Sequence, residues 1–112
     1  MIWVDELRSC GAPWKGGVAC HMVSDDSIDE LVSFASALGL RRSWFQGHRG
    51  SEHYDLSPKL RAKALRWGAR ECMSREMVGH SRRCREAEQV RRDTAVAELE
   101  ARTGRHHDTE CT

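Results

Sequence analysis

No stretch of this 112-residue chain is apolar over the roughly 20 residues that a membrane-spanning helix needs. The opening MIWVDELRS has neither a basic start nor a long apolar run, so no secretory signal is read there. Excess charge of one sign is missing too. The net charge is +1, so no overall basic field demands nucleic acid as a partner. Lysine is scarce: three Lys stand against fifteen Arg, a bias expected of a GC-rich genome that says little about function. The five cysteines, Cys10, Cys20, Cys72, Cys84 and Cys111, are odd in number and form no Cys-x-x-Cys pair. A disulfide framework is therefore not expected. A cytosolic protein with reduced thiols is the expectation, and Cys20 reads as a small hydrophobe of the core. No glycine-rich phosphate loop is present. Gly16-Gly17 and Gly47-x-x-Gly50 both lack the strand–Gly-x-Gly-x-x-Gly–helix context. No internal repeat occurs. The length suits one domain with a modest core.

What is present is clear helix punctuation between short β-type runs. Ile2-Trp3-Val4 is such a run, ending at Asp5. Residues 8 to 17, RSCGAPWKGG, read as a loop. VACHMVS, residues 18 to 24, reads as a buried strand. In SDDSIDELVSFASALGL, Ser27 and Glu30 have capping-box spacing. Asp25, Asp26 and Asp29 place negative charge where the helix dipole favours it. Ile28, Leu31, Val32, Ala35 and Leu38 form one apolar stripe, and Gly39 stops the helix. RSWFQG, residues 42 to 47, is a third strand candidate, followed by a loop rich in Gly and His. Ser57 and Pro58 open a second helix, with Leu60, Ala64 and Trp67 as its buried side and Gly68 as its end. AREC, residues 69 to 72, is a last short strand.

Strand–helix–strand–helix–strand over residues 18 to 72 predicts an α/β domain. Its sheet is expected to have three to four strands, mostly parallel, with flanking helices. The pairing of residues 2 to 4 stays open. From Ser74 the character changes. Residues 75 to 105 carry eight Arg and six acidic residues on a thin apolar stripe. One long charged helix is expected over 74–104, capped by Ser74, weakly tied to the core and broken near Gly79. Residues 105–112 read as a disordered tail. The expected organisation is thus 1–73, 74–104 and 105–112.

In an open parallel sheet, ligands bind beyond the carboxyl ends of the strands. Those ends deliver Asp5, then Ser24 and Asp25, then Gln46 and His48, and the next loop adds His53, Tyr54 and Asp55. His53 and Asp55 fit a base and its orienting carboxylate; the alternative reading is that Asp55 or Ser57 simply satisfies free amides at the helix start. His21, inside an apolar run, reads either as a satisfied core residue or as part of the site. The histidines and aspartates include donors suited to Zn²⁺ or Mn²⁺. No spacing among them matches a known ligand signature, so the metal, if any, stays unknown. The tail pair His106-His107 would bind transition metals loosely in any protein.

A competing reading is a nucleic-acid surface. Lys59, Lys63 and Arg66 share a stripe of the second helix, and Arg41, Arg42, Arg49 and Arg61 lie near its ends, with Trp44 and Phe45 interleaved. A charged outer helix face is more often simply solvated.

The motifs CHMVSD, DELVSFASALGL, WFQ and HYDLSPKLRAKALRWGA, in this order, resemble the DUF4031 family, a bacterial and phage domain of unknown function. The resemblance covers about residues 1–73 and does not reach the charged helix. It implies Asp5, His21, Asp25, Gln46, His53, Tyr54 and Asp55 as the family's polar positions, and a phage or prophage origin in a bacterial cytoplasm. It supplies no activity. Two function classes stay open. One is a ligand-binding or hydrolytic domain acting on a phosphorylated substrate such as a nucleotide. In it His53, Asp55 and His21 are catalytic, Asp5, Asp25, Gln46, Tyr54 and Ser57 bind substrate, and a phosphate sits at the helix start. The other is a non-catalytic module for a host protein or nucleic acid, with residues 74–104 joining copies.

Overall fold

The computed structural model describes residues 1–9, 17–48 and 51–104. Its elements are β1 (Ile2–Val4), β2 (Arg8–Ser9), β3 (Val18–Ser24), α1 (Ile28–Leu38), a 3-10 turn (Arg42–Trp44), β4 (Gln46–His48), β5 (Ser51–Leu56), α2 (Pro58–Arg66), β6 (Arg70–Glu71) and α3 (Ser74–Thr103). The fold is α/β with a six-stranded mixed sheet. Most of the expected loop at 8 to 17 and all of the expected tail lie outside the described residues. No helix among the described residues is long and apolar enough to cross a membrane.

The helix punctuation works largely as its chemistry demands. The Ser27 hydroxyl accepts the Glu30 N–H at 3.0 Å and starts α1. The reciprocal half of the capping box is missing, because the Glu30 carboxylate accepts the Ser24 hydroxyl at 2.6 Å instead. Gly39 ends α1 with φ +94°, a left-handed conformation that favours glycine. Ser57 and Pro58 open α2 as expected. Its buried side is Ala64 with Leu60 and Leu65, not Trp67. Trp67 is the C-cap, beyond the last turn, and is 48% exposed with the Lys63 ammonium 4.8 Å from its ring centre.

The strand order is β4-β5-β3-β1-β6, with β2 also pairing with β3. The mostly parallel sheet expected from sequence is corrected here. β1–β3, β2–β3, β3–β5 and β4–β5 are antiparallel, and only β1–β6 is parallel. The cause is a strand hidden in what read as a loop. Residues 51 to 56 form β5, which turns back from β4 and inserts between β4 and β3. β3 and β4 still run in the same direction across α1, and so do β5 and β6 across α2. In each case other strands lie between the two. The alternation of strands and helices was therefore a sound signal of crossovers, but not of adjacency. RSWFQG is not one strand: residues 42 to 44 are a 3-10 turn and the strand begins only at Gln46.

Alternation along each strand separates two faces. Ile2, Val4, Cys20, Met22, Tyr54 and Leu56 face α1 and α2, and with Leu31, Ala35, Leu38 and Ala64 they form the core. Trp3, His21, Val23, His53 and Asp55 take the other face. A register slip of one residue would expose Met22, Tyr54 and Leu56, at about 1.5–3 kcal/mol each, and bury the charged set. The core thus fixes which polar side chains meet on the opposite face.

α3 covers part of that second face. It runs unbroken through Gly79 and buries Met77, His80 and Cys84. The His80 ring stacks on Trp3 at 4.0 Å. Farther along, Glu88 accepts the Ile28 N–H at 2.7 Å, and Arg91 holds the Asp26 carboxylate at 2.6 Å. The helix is thus tied to the domain as far as Arg91, contrary to the expected weak attachment. Residues 92–99 are exposed. Met73, not Ser74, is its N-cap, which leaves the Ser74 side chain for another partner.

Candidate functional site

The site begins with an irregularity between β1 and β2. Val4 pairs with Met22, but Arg8 rather than Leu7 pairs with Ala19. One extra residue is therefore accommodated, as in a β-bulge. Asp5 stands at this break. Its N–H still donates to the His21 carbonyl at 3.2 Å. Its carbonyl, turned out of the ladder, accepts Arg61 Nε–H at 2.8 Å. Its side chain takes the vacated place: Oδ1 accepts the His21 N–H at 2.6 Å.

The other carboxylate oxygen, Oδ2, lies 2.9 Å from His21 Nδ1 and accepts the Ser74 hydroxyl at 3.0 Å. Asp5 is only 1% exposed, whereas the His21 side chain is half exposed. Burial pushes the Asp5 carboxyl up, but the His21 ring, the His21 amide and Ser74 outweigh it, and its pKa falls below the usual value. The hydrogen bond to Asp5 raises the His21 pKa against the opposing effect of burial. An imidazole held at Nδ1 by a buried carboxylate has its tautomer fixed, which leaves Nε2 for a proton or a ligand.

β5 completes the cluster. Asp55 is directly opposite His21 in the register. His53 lies two residues back on the same face, its ring edge-on to His21 with centres 5.2 Å apart. His53 Nε2 is 3.4 Å from Asp55 Oδ1. Gln46, opposite His53 in β4, donates from its amide to the other Asp55 oxygen. His21, His53 and Asp55 each bring one donor atom within 4.8 Å of the other two.

Two hollows adjoin this cluster. One, of about 270 Å³, lies between the sheet and the start of α3 and is lined by Asp5, Arg8, His21, His53, Ser74 and Ser81 among others. The other, of about 550 Å³, is lined by Ser43, Trp44, Gln46, Asp55, Ser57 and Leu60. Asp55 borders the second, and His21 and His53 the first.

Of the residues expected from sequence, Asp5, His21, Gln46, His53 and Asp55 come together. They do so across the strands rather than along a carboxyl rim. Ser57 caps α2 and lines the larger hollow. Tyr54 does not join them. It points into the core, 1% exposed, edge-on to Phe45 at 5.5 Å. Asp25 is also apart, accepting Trp3 Nε1–H at 2.9 Å beyond the far end of β3. Of the basic stripe, Lys63 is engaged with the Leu38 carbonyl and Trp67, while Lys59 and Arg66 are exposed. Sequence reasoning missed Arg8, Ser74, Ser81 and the Arg61 support. Ser74 did carry a signal, as a hydroxyl at a helix start, but its partner is 69 positions away. Cys20 is in the core as expected, and burial pushes its thiol up to about 12.

A family described as "Protein of unknown function (DUF4031)" matches residues 2–84. The chain belongs to the DUF4031 family. The match runs past the 1–73 span of the motifs and ends at Cys84, the last buried side chain of α3. The docked first turns of α3 are therefore within the DUF4031 region, as are all the site residues named above. No curated protein and no solved structure matches the chain.

Proposed function

We propose that this DUF4031 domain binds and hydrolyses a phosphorylated small molecule, such as a nucleotide, at the cluster on its second sheet face. The observation that carries the reading is the buried Asp5 carboxylate holding His21 beside His53 and Asp55. In phosphoester hydrolysis a water oxygen bonds to phosphorus and the bond from phosphorus to the leaving oxygen breaks. One water proton passes to a base, and the leaving oxygen takes up a proton. His21, with Nδ1 held by Asp5, is better placed as that base than His53, which sequence reasoning favoured. The larger hollow suits the rest of the ligand. Ser57 brings the positive end of α2 to its wall, where a phosphate is favoured. Half-exposed Trp44 offers a ring against which a base can stack.

The test is turnover of a panel of mononucleotides and simple phosphate monoesters by the parent protein, His21→Ala and His53→Ala. General acid–base groups contribute about 10²–10⁴-fold, and a loss of that size in a protein that still folds is expected for His21→Ala, whose melting falls only by the loss of its ring bond to Asp5. No turnover by the parent on any member would favour the alternative, a non-catalytic module for a host protein or nucleic acid.

A further inference from the structure

We infer that His21, His53 and Asp55 form a binding site for a divalent first-row transition cation such as Zn²⁺ or Mn²⁺. The catalytic use of such an ion rests on the hydrolytic reading above, with a water activated on the cation taking over the part given there to His21, because Nε2 cannot both ligate and accept a proton; the site itself does not rest on it.

The donors are brought together by the register, because Asp55 pairs with His21 and His53 shares their face. Their mutual separations, within 4.8 Å, are close to what one ion needs. Donors each about 2.0–2.2 Å from a common ion lie at most about 4.4 Å apart, so closure takes side-chain motion on the order of 1 Å. Two imidazoles and one carboxylate select a transition cation over Mg²⁺ or Ca²⁺, which prefer oxygen alone. Three protein ligands also leave a position open for water or substrate, as catalytic rather than structural sites do.

The surroundings point the same way. Metal-ligating histidines usually give their second ring nitrogen to a carboxylate or carbonyl, and ligating carboxylates are themselves hydrogen-bonded. Asp5 occupies His21 Nδ1, so the second nitrogen is the one left to ligate. Gln46 holds one Asp55 oxygen and leaves the other beside His53. Asp5 is itself fixed by the His21 amide and Ser74. This outer shell is built on His21 and Asp55. The half-exposed His21 ring leaves an entry path. Charge adds a further reason. An anionic substrate in the larger hollow meets the Asp55 carboxylate in its wall, and a bound dication reverses that repulsion.

Isothermal calorimetry with Zn²⁺ and with Mn²⁺ tests the site. The full chain is used with His106→Ala and His107→Ala, which removes adventitious tail ligands. His21→Ala, His53→Ala, Asp55→Asn and Asp5→Asn are compared in that background, and metal-free melting is checked for each. One equivalent should bind the parent. Each folded ligand variant should bind about 100-fold or more weakly, and Asp5→Asn about 10–100-fold more weakly. No binding by the parent, or parent-like binding by all three ligand variants, overturns the inference. Phosphoester turnover on the same samples separates the two readings. Turnover in chelator without metal binding rejects the cation site and keeps the hydrolytic reading. One-equivalent binding that needs these residues, without turnover on any ester, keeps the site and rejects hydrolysis.

Discussion

Asp5→Asn should destabilise the fold by about 2 kcal/mol without unfolding it. The side chain keeps its shape, and its oxygen can still accept the His21 N–H. At the other position an NH₂ replaces the oxygen that faces both His21 Nδ1 and the Ser74 hydroxyl. Hydrogen bonds to a charged group contribute about 1.5–3 kcal/mol and neutral ones about 0.5–1.5. The bond from the His21 N–H therefore weakens by about 1 kcal/mol, and the two at the NH₂ survive only if the Ser74 hydroxyl and the His21 ring turn to accept, for about 1 kcal/mol more. The half-exposed His21 ring can turn toward water, which keeps the loss near this figure. For a domain of this size 1 kcal/mol corresponds to about 4–8 °C, so melting should fall by about 10 °C. Ser74→Ala removes one bond to the charged carboxylate and should cost about 1.5–3 kcal/mol. Urea denaturation followed by tryptophan fluorescence gives both values, provided that the slopes agree between variants. A parent-like midpoint for Asp5→Asn would refute the claim that this carboxylate is the structural centre of the site.

Three other outcomes follow from the same geometry. Tyr54→Ala should cost about 3–5 kcal/mol, as for other buried rings. His53→Ala, one residue earlier on the opposite face, should cost under about 1 kcal/mol; equal losses in chemical denaturation would contradict the assignment of faces. His80 is stacked on Trp3, and burial and Arg83 hold its pKa below the usual histidine value against the pull of Asp25 and Glu76. The unfolded chain therefore takes up this proton first as pH falls below about 6.5, and stability drops with it. His80→Gln should flatten that slope relative to the parent, and an unchanged slope from pH 7 to 5 would exclude this origin. On the outer half of α3, Val96 and Leu99 are exposed. Changing both to Asp should leave stability within about 0.5 kcal/mol. If this half joins copies, the substitution should also reduce the mass seen by light scattering; an unchanged mass rejects pairing there.

Local signals in the sequence were read with more success than pairing. Ser27, Gly39, Ser57 and Pro58 mark helix ends through chemistry confined to a few residues, and α1 begins and ends, and α2 begins, where those residues stand. The pairing of β5 depends on partners far away in the chain. SEHYDL carries polar side chains on one face because that face holds the cluster, and this polarity disguised a strand as a loop. The same disguise hid the antiparallel order of the sheet. His21 read as ambiguous because Cys20 and Met22 beside it are apolar, yet strand alternation places it opposite them. Asp5, Gln46, His53 and Asp55, half of the residues expected on a carboxyl rim, do come together, but across neighbouring strands. Asp25 and Tyr54, expected on the same rim, are placed elsewhere by alternation and register. Nothing local in the sequence could show that Ser74 reaches Asp5.

The most direct test of the account is a thermal-shift comparison of the parent protein and His53→Ala with mononucleotides, each with and without Mn²⁺. A ligand at one hundred times its dissociation constant stabilises by about 2.7 kcal/mol, a shift on the order of 10 °C here. Such a shift is expected in the parent, dependent on Mn²⁺ and lost in His53→Ala. No shift with any nucleotide, or the same shift in both proteins, would contradict it.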